Sequence, residues 1–238
     1  MRFEDLLTDE ERLIRDTAKK FVDEVLMKKV IKGTREEKFD TSIMREYGNL
    51  GFLGATLTEY DLPGVSSASY GLISREVERC DSGYRSALSV QSSLVMFPLS
   101  EYGNKVVKDK WMPKLKTGEA IGCFGLTEPN HGSNPAGMET TAKDKGDHFL
   151  LNGSKTWITN SPHAHFFIVW AKNDQGQIKG YCLERTMPGI ETPRIEGKMS
   201  LRASDTGMIL MDNVKVPKSH ELNVTGLKGP FSCLNNAR

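Results

Sequence analysis

No two of the four cysteines, Cys80, Cys123, Cys182 and Cys233, stand close enough to form a CxxC pair. In an intracellular chain that spacing predicts free thiols, not a disulfide frame or a thiolate zinc site. Charge of one sign is also scarce: 32 Lys and Arg against 31 Asp and Glu leave a formal net charge of +1. The basic residues are interspersed with acids, so the electrostatic footprint of a nucleic-acid binder is missing. The longest apolar runs, such as residues 166–171, fall far short of the roughly 20 residues a membrane helix needs, and no membrane span is expected. The opening Met1-Arg2-Phe3-Glu4-Asp5 turns acidic at once, so no secretion signal is expected and no organellar presequence is visible. Without such a signal the sequons at Asn152 and Asn223 carry no functional weight. The nucleotide and hydrolase patterns GxGxxG, GxxxxGK(S/T) and GxSxG do not occur. The five histidines form no catalytic set. His163 and His165 alternate at strand spacing with no third ligand in view, so ordinary surface or edge histidines are predicted, and no metal.

What is present is an ordinary globular composition, 38% apolar and 26% charged, with length for one large domain or two modest ones. The apolar period changes near the middle. Up to Gly118 it is helical. Thr8 and Glu11 form a capping box ahead of a helix carrying Leu13, Ile14, Ala18, Phe21, Val22, Val25 and Leu26. Further helices are predicted from Thr41 or Ser42 to Gly51, after a Ser66 or Ser67 cap, over residues 86–99 where Pro98 slows the helix, and from Asn104 to Gly118 with a bend at Pro113. Beyond Gly118, short apolar runs at 121–126, 148–151, 166–171, 180–184, 208–211 and 214–216 alternate with Gly, Asn, Asp and Pro. Asn152-Gly153 predicts a hairpin turn. The fold class is therefore α+β, a helical unit followed by an antiparallel β unit. Residues 226–238 read as the opening of another helix.

Two segments carry candidate chemistry. Cys123-Phe124-Gly125-Leu126-Thr127-Glu128-Pro129-Asn130-His131-Gly132-Ser133-Asn134 leaves a strand for a loop rich in small, hydroxyl and glycine residues, which lets a ligand approach the main chain. Composition alone favours an elaborate turn. Lys155-Thr156-Trp157-Ile158-Thr159-Asn160-Ser161 sets a flat aromatic beside polar residues, suiting a planar heterocycle; the plainer reading is a core tryptophan followed by a polar loop.

Taken together, the Phe-Gly-Leu-Thr-Glu-Pro-Asn-x-Gly-Ser loop and the Thr-Trp-Ile-Thr-Asn strand resemble the flavin signature of the acyl-CoA dehydrogenases, a family of FAD-dependent oxidoreductases. The resemblance runs from Asp9-Glu10-Glu11 through Gly51-Phe52-Leu53-Gly54 and Leu201-Arg202-Ala203-Ser204 to Cys233-Leu234-Asn235-Asn236-Ala237-Arg238. Residues 76–93, Glu-Val-Glu-Arg-Cys-Asp-Ser-Gly-Tyr-Arg-Ser-Ala-Leu-Ser-Val-Gln-Ser-Ser, are most similar to the branch acting on glutaryl-CoA. The resemblance implies an N-terminal all-α domain over 1–120, a middle β-barrel domain binding flavin and substrate over 121–223, and the stub of a C-terminal helical domain over 224–238.

It further implies that Phe124, Gly125, Leu126, Thr127, Trp157, Ile158 and Thr159 contact the isoalloxazine ring of FAD, and that Ser133 touches both flavin and acyl-CoA. Arg85 would grip the distal carboxylate, with Glu78, Ser86 and Ser89 lining that pocket. Phe231, Leu234, Asn235 and Arg238 would hold the CoA part. An arginine fork suits a carboxylate, and Glu78 or Asp81 is expected to hold it between turnovers; the plainer reading is a surface pair of Arg85 with Asp81 worth under about 1 kcal/mol. The implied activity of the complete enzyme is oxidative decarboxylation of glutaryl-CoA to crotonyl-CoA in lysine and tryptophan degradation. Electrons would pass to an electron-transferring flavoprotein from a homotetramer in the mitochondrial matrix or the bacterial cytoplasm. Two departures stand out. Asn134 replaces the family's aspartate after Gly-Ser, though its amide oxygen is expected to keep a capping role. No residue matches the motif of the glutamate base, which is expected beyond Arg238, so little or no activity is expected of this chain alone. The alternatives are a non-catalytic remnant binding acyl-CoA or partner subunits, and a dehydrogenase for a monocarboxyl acyl-CoA.

Overall fold

The computed structural model describes residues 3–237. Its helical unit begins as the capping box dictates: in α1 (Asp9–Phe21) the Thr8 side chain accepts from the Glu11 N–H, and the Glu11 carboxylate accepts from the Thr8 N–H at 2.9 Å. The helix does not stop at Leu26. It passes through a π-helical turn (Val22–Leu26) into α2 (Met27–Glu36) and ends where Glu37 takes φ 52°. Helix α2 has no fully buried residue; only Met27 and Val30 pack, half-buried, against the helical core. Next come α3 (Ser42–Asn49) and α4 (Ser67–Cys80), the latter capped by Ser66 accepting from the Ser69 N–H at 3.1 Å.

Helix α5 (Ser82–Ser89) starts at Ser82 and not Ser86, because Asp81 caps it by accepting from the Gly83 N–H at 2.7 Å. A second π-helical turn (Val90–Met96) carries the chain into α6 (Phe97–Tyr102). Pro98 closely follows the π-helical turn, and the helix runs on through it to Tyr102. Asn104 caps α7 (Lys105–Lys116), which contains Pro113.

The β unit is one mixed sheet. Strand β1 (Gly122–Gly125) pairs in parallel with β4 (Phe166–Lys172), correcting the expectation of an antiparallel unit. The long excursion between them, through β2 (Thr141–Asp144) and β3 (His148–Thr159), returns the chain in the original direction. With β5 (Ile178–Glu184), β6 (Ile190–Glu191), β7 (Thr206–Pro217) and β8 (Glu221–Thr225) the order is β6-β7-β3-β2-β4-β5-β8. Asn152-Gly153 is not a hairpin: β3 runs straight through it with a register slip against β7. The Asn152 side chain accepts from the Asn213 N–H at 2.9 Å, and a Cβ on Gly153 would lie 2.6 Å from Thr140 Oγ1, so the pair forms a bulge packed beneath Thr140. For the same reason 208–211 and 214–216 belong to the single strand β7. The last predicted helix is α8 (Lys228–Ala237).

Strand β4 joins two cores. Phe166, Ile168 and Trp170 pack into the helical unit, whereas Phe167, Val169 and Ala171 pack inside the sheet with Leu151, Tyr181, Ile209 and Val214. Gln91, fully buried on the second π-helical turn, fastens the units by polar bonds. Its Nε2 donates to the carbonyls of Leu115 (3.1 Å) and Ala120 (2.9 Å), and its Oε1 accepts from the Gly122 N–H at 2.8 Å. Gln91→Leu keeps the volume but strands these groups, and is expected to cost about 3 kcal/mol in urea unfolding. A loss under about 1 kcal/mol would mean that water replaces the amide.

Candidate functional site

The two candidate segments meet through a buried ion pair. Glu128 is 4% exposed and Lys155 is completely buried on β3. Lys155 Nζ donates to Glu128 Oε1 at 2.8 Å and to the Leu126 carbonyl at 3.1 Å. Two backbone donors complete the carboxylate's shell: the Glu139 N–H at 2.6 Å and the Thr140 N–H at 3.0 Å. Burial alone would raise the Glu128 pKa, but these donors and the ammonium outweigh it and hold the group down at about 2. Burial pushes Lys155 down to about 8, with Glu128 working against the shift. The Thr156 N–H donates to the Thr127 carbonyl at 2.9 Å and doubles the tie between loop and strand.

Just past Lys155 the strand slips register against β7 before Ile158, and Trp157 sits in the slip with φ 60°. A non-glycine residue in that region is strained, and the bulge turns the indole out of the sheet to 61% exposure. Trp157 is therefore not a core tryptophan; that role falls to Trp111 and to Trp170, the latter packed edge-on to Phe124 at 6.1 Å. The exposed indole borders a cleft of about 350 Å³ whose lining includes Phe124, Leu126, Thr127, Ser133, Trp157, Ile158 and Thr159, with Phe231 and Leu234 of α8 on another side. Gly125 is not on the lining. A Cβ there would stand 3.0 Å from Ile209 and 3.1 Å from the Lys155 stem, so Gly125 makes room for the buried lysine.

Among the described residues no hydrogen bond engages the side-chain hydroxyls of Thr127, Ser133 or Thr159. Two large rings, Trp157 and 41% exposed Phe231, flank the same space. Apolar walls, unspent hydroxyls and uncovered aromatics fit a flat heterocycle such as a flavin ring.

A second cavity of about 830 Å³ lies alongside. Arg85 Nε donates to Glu78 Oε2 at 2.7 Å and Nη1 to Ser89 Oγ at 3.0 Å, and all three residues line this cavity with Asn235. Glu78 is held below the usual carboxylate range, first by the Ser82 hydroxyl and then by Arg85. The surface pair with Asp81 does not form, because Asp81 is spent capping α5. Ser86 is off the lining, its carbonyl accepting from the Ser89 hydroxyl at 3.3 Å. Ser89 borders the larger cavity and Val90 the smaller; likewise Asn235 and Leu234. The two spaces thus flank one seam between the second π-helical turn and α8. Arg238 lies outside the described residues.

The Asn134 side chain does not cap the turn Pro135–Gly137; its backbone carbonyl accepts from the Gly137 N–H instead. His163 and His165 are not on a strand. His163 closes a 3-10 turn (Ser161–His163) and approaches Asp205 at 2.5 Å, while His165 Nδ1 accepts from the Ile121 N–H at 3.2 Å. Among the described residues no cluster suits a metal ion. The site residue missed from sequence was Lys155. A lysine two positions before the tryptophan, on the same strand as the buried Phe149, Leu151 and Ile158, was the available signal.

Comparison with known proteins follows the same division. Residues 8–119 match the family description "Acyl-CoA dehydrogenase, N-terminal domain" and residues 123–214 "Acyl-CoA dehydrogenase, middle domain". A crystal structure of a glutaryl-CoA dehydrogenase from Mycobacterium smegmatis in complex with FADH2 is 44% identical with TM-score 0.96, over 99% of this chain and 61% of that one. Glutaryl-CoA dehydrogenase of Desulfococcus multivorans is 34% identical over 98% of this chain and 62% of its own length. Mitochondrial isovaleryl-CoA dehydrogenase of Pongo abelii is 34% identical over 91% of this chain and 53% of its own. The chain thus spans less than two thirds of each of these relatives.

The Glu128 carboxylate sets a pH dependence. Its folded pKa, about 2, lies below the ordinary value of 4.5, so it stabilises the fold above pH 4.5 and that contribution is lost as pH falls toward 2. Glu128→Gln leaves Lys155 buried without its counter-charge and is expected to cost about 3 kcal/mol at pH 7, with a shallower loss between pH 5 and 3 than the parent chain shows. Thermal melts across that range test it; parallel curves would remove Glu128 as the source.

Proposed function

The chain belongs to the acyl-CoA dehydrogenase family, and we propose that it forms the helical and middle domains of an FAD-dependent dehydrogenase for glutaryl-CoA. Residues 1–120 and 121–223 would be those two domains, with 224–238 entering a third, helical one. The observation that carries the substrate choice is Arg85, fixed by Glu78 and Ser89 in a cavity wall next to the cleft of Trp157. The relatives named for glutaryl-CoA support the same choice.

When bound, FAD supplies the acceptor for a hydride from the acyl β-carbon. The residues of this chain bind and orient. Trp157, Ile158, Phe124 and Leu126 shield the ring from water, while the Thr127 and Thr159 hydroxyls are free to donate to its polar edge, where negative charge gathers on reduction. Ser133, on the same lining, would reach both ring and thioester. Phe231, Leu234 and Asn235 would flank the CoA part. Arg85 spends Nε on Glu78 and Nη1 on Ser89, and among the described residues Nη2 has no partner, leaving one edge of the fork for the distal carboxylate. Glu78, ionised and held by Ser82 and Arg85, offsets the guanidinium charge and is poorly placed to act as a base. No residue here is assigned as the α-proton base, which we place outside this chain.

Loss of the distal carboxylate as CO2 would then give crotonyl-CoA in lysine and tryptophan degradation, with electrons leaving to an electron-transferring flavoprotein from a homotetramer. The compartment would be the mitochondrial matrix or, in a bacterium, the cytoplasm.

Calorimetric titration of the chain, with FAD present, tests the clamp. Glutaryl-CoA is expected to bind about tenfold tighter than butyryl-CoA, and Arg85→Ala to abolish that preference, as the loss of one charged hydrogen bond implies. Equal affinities in the unaltered chain would sink the glutaryl-CoA assignment.

A further inference from the structure

A third cavity, of about 570 Å³, opens on the side of α5 away from Arg85 and is lined by groups that the proposed chemistry does not use. Lys28, Lys29 and Lys32 of α2 stand along one side and Lys38 closes the turn beyond it. Two carboxylates share the lining, Glu36 and Asp40. Asp40 is already neutralised, accepting from Lys29 Nζ at 2.7 Å and from the Ser42 hydroxyl at 2.6 Å. Among the described residues Lys28, Lys32 and Lys38 have no ion-pair partner, so three cations face the single acid Glu36.

Exposed lysines alone would mean a solvated helix face. The floor says otherwise. Tyr84 is completely buried, yet its hydroxyl has no hydrogen-bond partner. Its ring packs edge-on to Phe39 at 6.1 Å, and both residues line the cavity. The hydroxyl lies against Gly33, where a Cβ would come within 3.2 Å of it and 3.0 Å of the Lys38 carbonyl. The glycine thus leaves the phenol head room at the base of a lysine-rimmed hollow. A buried hydroxyl without a partner is destabilising, and a bound acceptor relieves it. On the last wall, His163 turns its Nε2 to the buried carboxylate of Asp205, which also accepts from the Phe39 N–H at 3.3 Å and pairs with Arg194.

From this geometry we propose that the cavity is a binding site for a phosphate-class anion, with the Tyr84 hydroxyl donating to it from below and Lys28, Lys32 and Lys38 enclosing it. The site is separate from the proposed acyl-CoA chemistry but mechanically next to it. Tyr84 and Arg85 are consecutive on α5 and face different cavities, and His163 ends the turn that follows the Trp157 segment.

Isothermal titration of the chain with inorganic phosphate, at constant ionic strength, tests the proposal. Saturable one-to-one binding is expected. Tyr84→Phe, which removes only the unpartnered hydroxyl and should fold as before, is expected to weaken binding about tenfold. Lys32→Gln should weaken it too, and Glu36→Gln should tighten it. Glycerol phosphate run in parallel separates sources: tighter binding than phosphate points to an esterified ligand, and weaker binding to the free ion. No saturation up to 10 mM, or Tyr84→Phe binding as the unaltered chain does, would overturn the site and leave a lysine-rich surface only. Neither result bears on Arg85, whose test uses different ligands.

Discussion

A carboxylate and an ammonium taken out of water together hold this molecule's functional surface in shape. Each alone would be costly inside the protein, by several kcal/mol. Glu128 is acceptable because three donors converge on it, and Lys155 because it has a carboxylate and a carbonyl to reach. Every one of those partners belongs to the loop after β1 or to β3. The loop therefore cannot drift from the strand without exposing a bare charge to an apolar interior. The strained backbone of Trp157, two residues on, is tolerable because Lys155 behind it and Ile158 ahead of it are both anchored indoors.

Two kinds of polar group follow from that arrangement. Some are fully consumed by the fold: Glu128 inside its loop, Asp81 at the start of α5, Gln91 between the helices and β1. Others are held in place yet left with capacity: the hydroxyls of Thr127, Ser133 and Thr159, one edge of Arg85, and the phenol of Tyr84. These groups lie along cavity linings, whereas other unpartnered buried groups, such as Trp170 Nε1, Tyr181 Oη and Ser161 Oγ, do not. Spare hydrogen-bonding capacity at a fixed position is what a binding protein must conserve through folding, and helix α5 presents it on two sides.

Much of this was legible beforehand, for physical reasons that differ by element. The capping box at Thr8 and the Ser66 cap are local bonds, so their sequence signals translated directly. Helix α2 escaped notice because only Met27 and Val30 pack against the core, a short apolar face among many lysines. Asn152-Gly153 misled because turn propensity is local while pairing is not. Asn213 waits opposite on β7, itself at φ 52°, and the two asparagines bond across a double irregularity instead of reversing the chain. The candidate site was legible as a set of residues from the family resemblance. Its partition into the Trp157 cleft and an Arg85 cavity was not, nor was the lysine that joins loop to strand, because both depend on contacts between segments far apart in the chain.

Strand β4 carries one further implication. Its odd and even side chains belong to different cores, and its main chain is hydrogen-bonded to neighbours on both edges. An element shared in this way cannot be released by one core while the other stays intact. Opening β4 therefore disturbs both cores at once, so the amide protons of residues 166–171 are expected among the slowest to exchange. The Trp157 cleft, lined by Val90 and Leu94 as well as by Phe124 and Ile158, therefore sits where neither core can melt without disturbing the other.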